Sequence, residues 1–185
     1  MDELSAQDKE FLFQTVLQVG LAVMTASPSG LEGTFEETET MVEAPARLAQ
    51  NFPNSTLIRS ILEQNRGGEE DVVDELEEGE DDDEAADDDS TEGDDDAEAA
   101  HPEGPDEILA EAVDMCRRAA ELLKGVDAGE ASQYKTWVLA CGKAVAEVSK
   151  EGGFLGFRKK LVTNDERAAL EQIAAALDAP MPALP

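Results

Sequence analysis

Histidine is almost missing from this chain of 185 residues: only His101 is present, beside Pro102 in an acid-rich stretch. Zinc sites and catalytic dyads built on imidazole are therefore not expected. A di-metal carboxylate bundle needs a pair of Glu-x-x-His motifs, which one histidine cannot supply. Cysteine is nearly as scarce. Cys116 and Cys141 lie within apolar helical patterns and form no C-x-x-C motif, so they read as buried free thiols. Cations are outnumbered, with 14 Lys and Arg against 44 Asp and Glu, a formal net charge of -30. Nucleic acid is an unsuitable partner for such a surface, because phosphate contacts need clustered cations.

Long hydrophobic runs are also lacking. Residues 11–30 carry no charge, yet Gln14, Thr15, Gln18 and Thr25 interrupt them. A central bundle helix fits this stretch better than a membrane span. The opening MDELSAQDKE is acidic where a secretory signal would be basic, so the expectation is a cytoplasmic protein with no membrane partner. No segment alternates with period two for long enough to suggest a strand.

The sequence does hold a strongly localised charge. Residues 69–98 contain 20 acids and no Lys or Arg, leaving 24 acids against 14 bases elsewhere. Beyond Leu76 no large apolar residue appears until Ile108, so this stretch cannot offset the entropy of ordering itself. We read 69–104 as an acidic disordered insertion, with 69–76 a frayed helical lead-in. It divides one helical bundle into an N-terminal half, 1–68, and a C-terminal half, 105–178, followed by a flexible tail at 179–185. An EF-hand register on Gly93 places Ala99 where the bidentate glutamate belongs, which leaves only weak, diffuse binding of divalent cations.

Six helices follow from apolar periodicity and caps. Ser5 with Asp8, Thr34 with Glu37, and Thr163 with Glu166 have capping-box spacing, and Asp127 with Glu130 is a further start signal. Pro45 lacks an amide hydrogen and predicts a kink or restart in the second helix. The third helix follows Asn54, and the fourth runs from Pro105 toward Gly125. Glu111 with Asp114, and Glu147 with Glu151, are spaced to pair carboxylates, although a solvated helix face explains them as well.

An internal echo links the two halves. VLQVGLAVMTAS at 16–27 and VLACGKAVAEVS at 138–149 share Val, Leu, Gly, Ala, Val and Ser at a constant offset of 122. The pattern predicts two pseudo-repeated helix–turn–helix units. Gly20 and Gly142 match within it, and a mid-helix glycine costs about 1 kcal/mol relative to alanine. Close crossing of the first and fifth helices at these glycines is the expected reason.

The stretch EGGFLGFRKK at 151–160 lacks the spacing of a phosphate loop and follows a helix rather than a strand. We read it as a turn in which Phe154, Leu155 and Phe157 fold back on the bundle while Arg158, Lys159 and Lys160 face solvent. A partner-binding lip made of the same six residues is the alternative. This EGGFLGF turn, the LVTNDERAALEQIAAAL that follows and the N-terminal VLQVGLAVMTASPSGLEGTF resemble an uncharacterised bacterial family of small all-helical proteins. There is also a faint similarity to tellurite-resistance-type helical domains, whose acidic Asp-Gly loop is missing here. The resemblance implies a helical fold and transfers no activity or functional residue.

The expectation is therefore an all-α bundle acting as a non-catalytic interaction or assembly module, with no cofactor, an unknown protein partner and room for a homo-oligomer. The alternative is an enzyme or small-ligand carrier with an apolar cavity between the repeats.

Overall fold

The computed structural model describes residues 4–27, 30–66, 104–148 and 162–184, the side chains of 30–34 and 66 excepted. These residues form six α-helices: α1 (Ala6–Ala26), α2 (Gly30–Ala49), α3 (Thr56–Arg66), α4 (Pro105–Leu122), α5 (Ala128–Val148) and α6 (Asn164–Ala176). A single 3₁₀ turn, Leu123–Gly125, joins α4 to α5. Among the described residues there is no strand, and no helix is long and apolar enough to cross a membrane. The acidic insertion expected at 69–104 falls outside the described residues, apart from Gly104.

Start signals in the sequence become real caps. The Ser5 hydroxyl accepts from the Asp8 amide while the Asp8 carboxylate receives the Ser5 amide, and Thr163 with Glu166 repeats the arrangement on α6. Asp127 Oδ1 accepts from the amides of Gly129 and Glu130 at 2.8 and 3.2 Å, closing the start of α5. Donors that would otherwise be orphaned at these helix ends are thereby satisfied. The second helix differs from expectation. It begins at Gly30, ahead of Thr34, and continues through Pro45 to Ala49 without restarting. Its neighbours hold this section in place: Ala44 is fully buried, and the Pro45 carbonyl accepts a hydrogen bond from Trp137 Nε1 at 3.0 Å.

Helix α1 packs against each of the other five. Leu12, Val16, Val19, Ala22 and Val23 supply its share of the core. Helix α5 adds Tyr134, Trp137, Val138, Cys141 and Val145, and α6 closes that side with Leu170 and Ile173. Tyr134 and Trp137 meet edge to face, ring centroids 6.0 Å apart, and the Tyr134 hydroxyl donates to the Leu12 carbonyl at 2.8 Å. Two aromatic side chains of α5 thus tie it to the backbones of α1 and α2 while filling the core. The C-terminal residues expected as a loose tail instead lie on this core through Ala179, Met181 and Leu184, because these apolar side chains lose water contact by folding back.

Both matched glycines are buried, but they serve different contacts. A Cβ on Gly142 would lie 3.0 Å from Val19 Cγ1 and 3.1 Å from Leu170 Cδ2, so Gly142 admits α1 and α6 closely. A Cβ on Gly20 would lie 2.6 Å from Met41 Cγ of α2. The single crossing expected at both glycines is therefore corrected. Gly142 serves the α1–α5 contact, and Gly20 receives a methionine from α2. At Gly142 the β-branched Val19 can yield only a little, so Gly142→Ala sets mild overpacking against a gain of about 1 kcal/mol in helix propensity. We expect the variant to unfold within about 1 kcal/mol of wild type, and Gly142→Val to lose roughly 2 kcal/mol through crowding, as measured by urea denaturation.

The cysteines are buried and free. Burial pushes both thiols up to about 12, with Arg47 acting weakly the other way on Cys141. The thiolate is the reactive form. Neither residue should react with a thiol reagent in the folded protein, and both should react on denaturation. Native labelling of either at the denatured rate would contradict the packing described.

Candidate functional site

Helix α1 carries more apolar residues than the core uses. Leu17, Leu21 and Met24 stay half-buried on a flank turned away from Leu12, Val16 and Val23. Helices α2 and α4 rise on either side of this flank and leave a groove of about 320 Å³. Its apolar lining is Leu17, Leu21, Met41 and Met115, and its polar lining is Gln14, Gln18 and Glu111. The Gln18 amide donates to Glu111 Oε2 at 2.9 Å, bridging α1 and α4 along one edge. At the end nearest Phe11, the Arg118 guanidinium stacks 4.5 Å from that ring's centroid, a favourable cation–π arrangement.

The α2 helix that forms one wall also exposes apolar residues. Phe35 is 77% exposed and Val42 is 63% exposed. With Thr38 they span about 60° of arc on an α-helix. One edge of that arc lies toward α1, because the Thr38 hydroxyl lies 3.7 Å from the sulfur of Met24. Phe35 and Val42 lie further round α2, about 100–120° from the groove-lining Met41, and present an apolar patch to solvent on its outer face. Large apolar side chains grouped in this way mark interaction surfaces more often than isolated ones do, and methionine adapts its shape to different contacts.

Sequence reasoning placed the candidate interaction turn elsewhere. Phe154, Leu155, Phe157, Arg158, Lys159 and Lys160 lie outside the described residues. Of the helix-crossing pair, Gly20 borders the groove through Met41, while Gly142 lies in the core. Glu111, spaced as one of a carboxylate pair with Asp114, instead meets Gln18, and Asp114 pairs with Arg117. The signal that was missed is the pair Phe35 and Val42, seven residues apart and off the buried stripe of α2 marked by Thr40 and Ala44.

A second polar constellation joins the two halves of the chain. The Glu130 carboxylate of α5 accepts from the Ser55 hydroxyl at 2.6 Å and from the Thr56 amide and hydroxyl, each at 2.9 Å. It also accepts from the Leu57 amide at 3.2 Å. Burial works against its charge, but the hydrogen bonds from Ser55, Thr56 and Leu57 together hold the carboxyl below its ordinary range. A carboxylate at a helix N-terminus satisfies free amides and favours the dipole, so this group secures α3 and is not a site open to a ligand.

Comparison with known protein-family models, curated proteins and solved structures finds no match to this chain.

Proposed function

We propose that this protein is a non-catalytic interaction module of the cytoplasm that docks a partner protein in the groove between α1, α2 and α4. The observation carrying this reading is the exposure of Phe35 and Val42 on α2, the helix whose Met41 lines the groove. The space beside the two interior glycines supports it too. Met41 occupies one side, and Val19, Val23 and Leu170 occupy the other, where a ligand carrier would need a cavity. Free, buried cysteines suit a reducing compartment.

The pseudo-repeat is part of the proposal. Helices α1 and α5 each have 21 residues, and their first and last residues keep the 122-residue offset of the echo. The hydrogen bond from Tyr134 to Leu12 joins positions that are also 122 apart, as expected where equivalent helices meet near a pseudo-twofold axis. In this arrangement duplicated hairpins build the core, and the surplus apolar flank of α1 is left for a partner.

The test is affinity capture with three forms: the full chain, Phe35→Ser with Val42→Ser, and a chain lacking 69–104. Partner recovery should fall with the double variant and persist in the deletion. The reverse pattern would assign binding to the acidic segment and overturn the proposal.

A further inference from the structure

We draw no further inference here: the strongest candidate, the surface depression of about 340 Å³ between the end of α4, the start of α5 and residues 178–180, holds Lys124 on Glu121 and Lys135 on the Asp178 carbonyl, and nothing in the structure shows what covers it.

Discussion

Trp137→Ala is expected to lower the stability of the bundle by about 3–5 kcal/mol, the usual cost of removing a large aromatic side chain from a packed core. Trp137 has no exposed surface, stacks edge-on against Tyr134 and donates to the carbonyl of Pro45. The alanine variant would leave a cavity between α5 and α2 and an acceptor without its donor. Trp137→Phe separates these effects. It keeps much of the volume and loses the indole N–H, so its cost should be nearer 1–3 kcal/mol, the range for leaving a buried polar group unpaired. Urea denaturation followed by circular dichroism measures both. A loss below about 1 kcal/mol for the alanine variant would be typical of a surface position and would contradict the packing of α5 on α2.

The second large effect concerns Glu130. Glu130→Ala removes the acceptor for the Ser55 and Thr56 hydroxyls and the Thr56 and Leu57 amides. We expect a loss of roughly 2–3 kcal/mol, within the range for charged hydrogen bonds combined with a helix cap and reduced by partial exposure of the carboxylate. Acid should reveal the same linkage. The folded carboxyl is held below its ordinary range, so its contribution is complete above the unfolded value of about 4.3 and disappears as pH falls through the lower folded value. The stability gap between wild type and Glu130→Gln should therefore be widest near neutrality and narrow below about pH 4. A gap unchanged by acid would mean that the charge of Glu130 does not secure α3.

These residues also show what the sequence makes legible. Ser5 with Asp8 and Thr163 with Glu166 act within one helical turn, so spacing alone reveals them. Glu130 has the same local spacing from Asp127, yet its carboxylate serves α3, more than 70 residues away in the chain. Local pattern cannot encode that choice, because it depends on where α3 docks. The groove is hidden for a related reason. Its lining comes from α1, α2 and α4, and Leu17 and Leu21 look like core residues until packing leaves their flank open. Phe35 and Val42 could likewise have been buried, and only the position of α2 turns them outward. The C-terminal residues differ from expectation because Ala179, Met181 and Leu184 find apolar contacts that their proline-rich context does not announce.

The most direct test of the docking face is a photo-crosslinking residue placed at Val42 in the full-length protein within its own cells, with Gln172 on the exposed side of α6 as the control position. A discrete crosslinked partner should form from position 42, persist when 69–104 is deleted, and be absent from position 172. Equal crosslinking from both positions, or a product from position 42 that vanishes with the acidic segment, would contradict binding at the groove.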